Sequence, residues 1–234
     1  MRACPRIALT VALLAGSAIA RAEFIDLPVK WSQPIGYTTE GQQLIYGIDH
    51  LSNHALGAVL ANDWQCNDPE PVVAVRWWGS YIGDHTPRVN GNINGFDLSI
   101  HLSTGNHPFS LPSPTPLVLW QNVVAEQDFV GWDAAGDAVY RYDAYLPSAF
   151  PQVPGTEYFL DIDSPLGVNW GWHDAALPYP VLDWSATAPT HLGTLATFNP
   201  LTELAFEIMV PEPTTLGLWG LGLAALFILR RRNG

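Results

Sequence analysis

Residues 96–102 read FDLSIHL, and every second side chain in this stretch is apolar. Successive side chains of a β-strand point to opposite faces of a sheet, so the alternation predicts a strand with one face in a core. Residues 204–210, LAFEIMV, repeat the pattern. Weaker versions occur at residues 72–78, 117–124, 138–146 and 157–163. The chain is therefore expected to contain several half-buried strands.

Turn-forming residues separate these strands, as at Gly83-Asp84, Asn90-Gly91-Asn92, Pro112-Ser113-Pro114 and residues 151–155. The chain has 20 prolines and 20 glycines, and both residue types disfavour helix interiors, which excludes a helical bundle. We predict an all-β fold, an antiparallel β-sandwich that is jelly-roll-like, formed by residues 23–210 as one domain.

The N-terminus has the pattern of a secretory signal peptide. Arg2 and Arg6 precede an apolar run at residues 7–19, and Ala20-Arg21-Ala22 supplies the small residues of a cleavage site. We predict a signal helix that is cut after Ala22, which removes residues 1–22 from the fold. The alternative is a short buried N-terminal helix, which needs neither the positive flank nor the small-residue site.

The C-terminus carries a second apolar segment. Val210-Pro211-Glu212-Pro213 precedes a run from Leu216 to Leu229, and Arg230-Arg231-Arg232 ends it. Fourteen helical residues at ~1.5 Å each reach about 21 Å, short of a hydrocarbon core of roughly 30 Å. A thinned bilayer and snorkelling arginines can close the gap. We therefore predict a short transmembrane helix at residues 216–229, with the arginines on the cytoplasmic side.

Residues 210–213 read VPEP, and with the apolar helix and RRR that follow, residues 211–234 resemble the PEP-CTERM sorting signal of Gram-negative bacteria, commonly those that make exopolysaccharide. The resemblance implies an exported precursor anchored in the inner membrane. It also implies an exosortase-type enzyme that recognises and cuts the region Pro211-Glu212-Pro213, after which the protein lies at the cell surface or in the extracellular matrix. An ordinary tail anchor is the alternative, although it has no need for VPEP at this place.

Net charge limits the partners of the middle region. Between residues 23 and 213 the 22 acidic residues meet four basic ones, which gives a formal charge of −18. The basic residues are Lys30, Arg76, Arg88 and Arg141. Such a surface repels nucleic acid and anionic lipid, and it favours solubility outside the cell.

Cys66 is the only cysteine after signal cleavage, because Cys4 leaves with the signal peptide. No intrachain disulfide can form, so the stability of the domain must come from its core. Cys66 is predicted to be structural, since no Cys-protease signature surrounds it.

Three blocks stand out in the middle region: KWSQP at residues 30–34, LANDWQCNDPEPVVAVRWWGSY at 60–81, and YFLDID at 158–163 followed by WGW at 170–172. Together they resemble an uncharacterised β-sandwich domain of secreted bacterial proteins, in which K-W-x-Q-P leads to A-D-D-W/F-x-C and W-W-G-S-Y. Asn62 stands here in place of the first aspartate. The resemblance implies fold and location and brings no known activity.

Metal-ligand patterns in the sequence are weak, and no cofactor is expected. Asp161 and Asp163 share one face of their predicted strand and could hold Ca²⁺ with a loop carbonyl. His50 and His54 lack a third ligand at zinc spacing. Residues 90–95 lack the strong ligands of a calcium loop, so they are predicted to form a polar turn.

Recognisable catalytic motifs are also absent, and G-x-S-x-G does not occur. A glycosidase needs two carboxylates about 5 to 10 Å apart across a cleft. Glu126, Asp128, Glu157 and Glu207 have the right chemistry, but the sequence places no two of them together. We predict that the chain is not an enzyme, with a secreted glycan-active enzyme of β-sandwich fold as the alternative.

Tryptophan is unusually frequent, and nine of the ten lie before the tail. Trp77 and Trp78 point to opposite faces of one predicted strand, so at most one lies in that core layer. Trp170 and Trp172 stand among polar residues that favour a loop. Indole faces beside carboxylates and amides bind sugar rings, so these four tryptophans are predicted to bind exopolysaccharide. The alternative is that they fill the sandwich core.

Overall fold

The computed structural model describes residues 26–38, 44–104, 111–164, 168–176, 186–188, 196–197 and 203–212. The predicted signal peptide with Ala20 and Ala22, the helix at residues 216–229 and Arg230-Arg231-Arg232 lie outside these residues. Within the described ranges, no helix is both long enough and apolar enough to cross a membrane.

The described residues form thirteen strands and one 3-10 turn at His54–Leu56. The strands are β1 (Val29–Gln33), β2 (Asp49–Leu51), β3 (Val59–Gln65), β4 (Val72–Tyr81), β5 (Gly91–Thr104), β6 (Leu111–Pro112), β7 (Val118–Trp132), β8 (Ala138–Phe150), β9 (Glu157–Asp163), β10 (Trp170–His173), β11 (Ala186–Ala188), β12 (Ala196–Thr197) and β13 (Phe206–Met209).

These strands join in the order β1-β13-β4-β8-β7-β5-β9-β3-β11-β12, and every pair among the named strands is antiparallel. Three strands lie off this path: β10 pairs with both β2 and β4, and β6 pairs with β5. The six strands predicted from alternation are β4, β5, β7, β8, β9 and β13, and β9 has the predicted bounds.

The sheet curls, so that strands far apart in the sheet order pack against each other across one core. Along the sheet β13 and β3 are six steps apart. Nevertheless, the rings of Trp64 and Phe206 lie 6.5 Å apart, and Asn62 Nδ2 donates to the carbonyl of Leu204 at 3.2 Å. The prediction of an all-β, antiparallel, sandwich-like fold is confirmed.

The outer face of the sheet is partly buried as well. Trp77 packs in the main core, whereas Trp78 packs outside the sheet in a small cluster with Ile35, Ile45 and Val139. The prediction that these two indoles point to opposite faces is confirmed. The segment that contributes Ile35 and Ile45 therefore covers one end of the outer face.

The predicted polar turn at residues 90–95 is corrected, because β5 already begins at Gly91 and pairs with β7. The register shifts between Ile93 and Phe96, and Gly95 adopts a φ of +105°. A shift of this kind lets a glycine-containing polar segment continue a strand instead of ending it.

Candidate functional site

The four tryptophans predicted to bind sugar are buried, so they offer no accessible ring face. Trp77, Trp170 and Trp172 are 0% exposed, and Trp78 is 6% exposed. The predicted loop at residues 170–172 is wrong, because it forms the strand β10, bonded to β2 on one edge and to β4 on the other.

The polar atoms of the β10 indoles are satisfied inside the fold. Trp170 Nε1 donates to the hydroxyl of Tyr142 at 3.2 Å, and Trp172 Nε1 donates to the carbonyl of Ala205 at 2.8 Å. The flanking polar residues suggested a loop, but both edges of β10 are paired, which is why Asn169, His173 and Asp174 did not prevent a strand.

Two glycines allow β10 to sit this close to its neighbours. A Cβ on Gly79 would lie 2.3 Å from the carbonyl oxygen of Gly171 and 2.5 Å from the Trp170 indole. A Cβ on Gly171 would lie 2.9 Å from Cβ of Asp49. The W-W-G-S-Y and W-G-W motifs therefore encode the close packing of β4 against β10.

A row of polar side chains crosses the outer face of four strands. The register places Glu207 of β13 opposite Arg76 of β4, Arg76 opposite Asp143 of β8, and Asp143 opposite Glu126 of β7. Arg141 stands two residues from Asp143 on β8 and shares its face. We refer to these five residues as the charged row.

Ion pairs hold the charged row in place. Arg76 Nε donates to Asp143 Oδ1 at 2.7 Å, and its Nη1 donates to Glu207 Oε2 at 3.0 Å. Arg141 Nε lies 3.0 Å from the second oxygen of Asp143. Ser32 of β1 extends the row by donating to Glu207 at 2.7 Å. Four of the five side chains, all but Glu126, are thus held by one another before any ligand arrives.

Burial shapes the ionisation of the two acidic neighbours in this row. Burial raises the pKa of Asp143, although Arg76 and Arg141 act in the opposite direction. Burial, followed by the charge of Asp143, raises the pKa of Glu126. Asp143 and Glu126 thus lie side by side in a partly buried environment that raises the pKa of both carboxyl groups.

Beside the charged row the outer face carries exposed apolar surface. Tyr145 lies two residues beyond Asp143 on β8 and is 61% exposed. Val124 lies two residues before Glu126 on β7 and is also exposed. An exposed phenol ring therefore stands next to fixed hydrogen-bonding groups on a rigid sheet, which is the combination the buried indoles were expected to supply.

Of the carboxylates considered for glycoside hydrolysis, Glu126 and Asp128 share one face of β7, and the others lie on β9 and β13. Glu207 and Glu126 are three strand spacings apart, or roughly 14 Å at about 4.8 Å per strand, beyond the separation that hydrolysis requires. Glu157 lies on β9 and accepts from Ser103 at 3.0 Å, while Asp128 accepts from Asn90. Glu126 does have a close carboxylate in Asp143, but that side chain is fully buried between two arginines.

Asp161 and Asp163, the weak metal candidates, are buried on the outer face of β9. Asp163 accepts from the backbone and the imidazole of His54, and Asp161 lies 3.9 Å from His101 Nε2. His50 pairs instead with Asp174 at 2.8 Å. His50 and His54 thus bind different carboxylates and do not converge. 

Cys66, predicted to be structural, is buried and free, and its thiol contacts the carbonyl of Asp68 at 2.7 Å. The thiol is thus part of the interior and has no accessible face for attack on a substrate.

The structure also contains a buried polar group that the sequence did not predict. Asp49 on β2 stands opposite His173 on β10, and Asp133 follows β7, so that one atom from each lies within 4.8 Å of the others. His173 Nδ1 is 3.2 Å from Asp49 Oδ1, and both side chains are almost wholly buried. Asp133 is 2% exposed.

Burial and the neighbouring charges change the pKa values of Asp133 and His173. Burial raises the pKa of Asp133, and the charge of Asp49 raises it further against the backbone N–H of Asp137. Burial lowers the pKa of His173, but the hydrogen bond and charge of Asp49 outweigh it, so the pKa is raised overall. No local sequence pattern predicts this group, because its members are 84 and 40 residues apart. The pairing of β2 with β10 brings Asp49 to His173, and Asp133 at the end of β7 lies beside them.

The sorting motif begins where the chain leaves the fold. Val210 is buried, and its N–H donates to the carbonyl of Pro28 at 3.1 Å. Pro211 and Glu212 directly after it are exposed. Pro213 lies outside the described residues. The first two residues of the predicted processing region are thus open to an enzyme.

Comparison with known families agrees with this arrangement. Residues 210–232 match the PEP-CTERM protein-sorting motif, so the chain is an exported protein with a C-terminal sorting signal, held in the membrane until an exosortase-type enzyme processes it. A search of curated proteins finds no match. Residues 29–215, which span the whole described sheet, match the family described as Domain of unknown function (DUF7901), and the chain belongs to that family.

Proposed function

We propose that this protein is a non-catalytic component of the cell surface or extracellular matrix of a Gram-negative bacterium, and that it binds exopolysaccharide. The binding surface is the outer face of β4, β7, β8 and β13, where Tyr145 stands beside the charged row. This surface replaces the four buried tryptophans in the role predicted from the sequence.

The exposure of Tyr145 is the observation that carries the proposal. Its ring has an open face, whereas Trp77, Trp170 and Trp172 have none. A flat aromatic ring on a rigid strand can receive the C–H face of a hexose with little loss of conformational entropy.

The charged row supplies the polar half of such a site. Arg76 and Arg141 offer N–H donors and Glu207 offers an acceptor, each held by an ion pair, and Glu126 offers a second acceptor on the neighbouring strand. Two arginines meet three carboxylates here, so the surface has no excess of positive charge. It therefore suits the hydroxyl groups of an uncharged sugar better than a uronate.

The sorting signal supports the same function from another direction. A protein that is exported and then released from the membrane at Pro211-Glu212-Pro213 enters the compartment in which exopolysaccharide accumulates. The strongly acidic remainder of the domain discourages binding to nucleic acid and anionic lipid.

Two tyrosines with equal exposure make the experiment a matched comparison. Tyr145 and Tyr46 are each 61% exposed, but only Tyr145 lies beside the charged row. We expect Tyr145→Ala to weaken retention of the domain on purified host exopolysaccharide by about 10-fold or more, because an anchoring aromatic contributes roughly 1.4 kcal/mol or more. Tyr145→Phe and Tyr46→Ala should bind like the unchanged protein.

Equal binding by Tyr145→Ala and the unchanged protein would reject this surface. Release of reducing sugar from the same polysaccharide, abolished by Glu126→Gln, would instead establish the glycan-active enzyme.

A further inference from the structure

The polar group formed by Asp49, Asp133 and His173 has unused ligand atoms. Oδ2 of Asp49 and Oδ2 of Asp133 are buried and have no hydrogen-bond partner among the described residues, while Oδ1 of Asp49 and Nδ1 of His173 face each other at 3.2 Å. Buried polar atoms normally have partners, because leaving one unpaired costs about 1–3 kcal/mol. Two unpaired oxygens beside a close imidazole–carboxylate pair indicate an occupant that binds these atoms together.

The remaining atoms of these side chains are held so that the unused ones face one another. His173 Nε2 donates to the carbonyl of Tyr46 at 2.9 Å, so Nδ1 faces Asp49 and is available as a ligand when it carries no proton. Asp133 Oδ1 accepts from the N–H groups of Ala135 and Asp137 at 2.9 and 2.8 Å, which leaves Oδ2 free. Outer hydrogen bonds of this kind orient the ligands of metal ions in proteins.

When His173 is neutral, the lone pair on Nδ1 and the Asp49 oxygen 3.2 Å away repel each other, and a metal ion beside them removes that repulsion, as a proton on the imidazole also would. Tetrahedral ligands at the zinc bond lengths of about 2.0–2.1 Å stand roughly 3.4 Å apart, so this pair already has the required spacing. The third ligand, a carboxylate oxygen of Asp133, lies within 4.8 Å of a ligand atom of each of the other two residues.

The geometry points to a site for a divalent transition-metal ion such as Zn²⁺, bound by His173 Nδ1 and by the carboxylates of Asp49 and Asp133. The imidazole selects this class, because Ca²⁺ and Mg²⁺ prefer a full set of oxygen ligands. The ion ties β2 and β10 to the end of β7. The segment that contributes Ile35 and Ile45 leads into Asp49. The ion therefore also holds this segment against Trp78 on the outer face.

The test uses the untagged mature protein released from the cell surface and stripped with EDTA. Titration with Zn²⁺ should restore about one metal ion per chain by elemental analysis. At a hundredfold excess over Kd it should raise Tm by about 5–10 °C, whereas Ca²⁺ at the same concentration should leave Tm unchanged.

Two isosteric variants locate the ion. Asp49→Asn should lose the Zn²⁺-dependent rise in Tm while the stripped protein is at least as stable as the parent, because the amide can donate to His173 Nδ1. Asp174→Asn removes an equal charge next to His173, from an acid already bonded to His50 and Ile48 N–H, and should keep the rise.

The inference is overturned if the stripped parent protein gains no metal and no Tm from Zn²⁺, since a proton on His173 then neutralises the site. Retention of the full rise by Asp49→Asn would also overturn it. If Asp49→Asn does not fold, Co²⁺ in the parent protein decides: visible absorption bands typical of a low-coordinate protein site support the inference, and the spectrum of the hydrated ion overturns it.

Discussion

Replacing Trp170 by alanine should cost the domain a large part of its stability. Trp170 is 0% exposed, and its ring packs edge-on against Phe96 at 5.1 Å and Tyr142 at 5.9 Å. The substitution removes these contacts, leaves a cavity, and takes away the donor to the Tyr142 hydroxyl. We expect a loss of about 3–5 kcal/mol, as for other buried tryptophans replaced by alanine.

The same loss should lower Tm by about 6–20 °C, at roughly 2–4 °C per kcal/mol for a domain of this size. Urea unfolding followed by far-UV circular dichroism gives the free energy, and an unchanged slope m shows that the native and unfolded states are otherwise comparable.

Two controls accompany Trp170→Ala. Trp170→Phe keeps part of the ring and should lose clearly less, whereas Tyr46→Ala, at an exposed position, should change stability by less than about 0.5 kcal/mol. A loss below about 1 kcal/mol for Trp170→Ala would show that the indole is not part of the core and would restore it as a candidate for sugar binding.

Three further predictions test other parts of the structure. Gly79→Ala should destabilise the domain by about 1–3 kcal/mol or more, because the new Cβ would press on Gly171 and Trp170; a variant as stable as the parent in urea unfolding would contradict the close approach of the strands. A reducing agent should leave Tm of the mature protein unchanged, since Cys66 is free, and a clear fall in Tm would count against this. Mass spectrometry of the surface-released protein should find a C-terminus near Pro211-Glu212-Pro213, and recovery only of chains ending at Gly234 would refute processing there.

Local sequence pattern determined the strands and their faces. The alternation at residues 96–102 and 204–210 predicts β5 and β13 because period two is a property of a single strand and needs no knowledge of its partners. For the same reason Trp77 and Trp78 could be placed on opposite faces. The sorting signal at the C-terminus is likewise a contiguous motif, so its order and spacing identified it.

Tertiary structure alone decided which faces water can reach. Polar neighbours made residues 170–172 resemble a loop, but β2 and β4 pair with both edges of β10 and bury its indoles. The charged row depends on strand register across β13, β4, β8 and β7, and a shift of one residue in any strand would break it. Asp49, Asp133 and His173 meet because the sheet brings β2, β10 and the end of β7 together. Contacts between residues so distant in sequence leave no local pattern, since they are set by the packing of whole strands rather than by any neighbour in the chain.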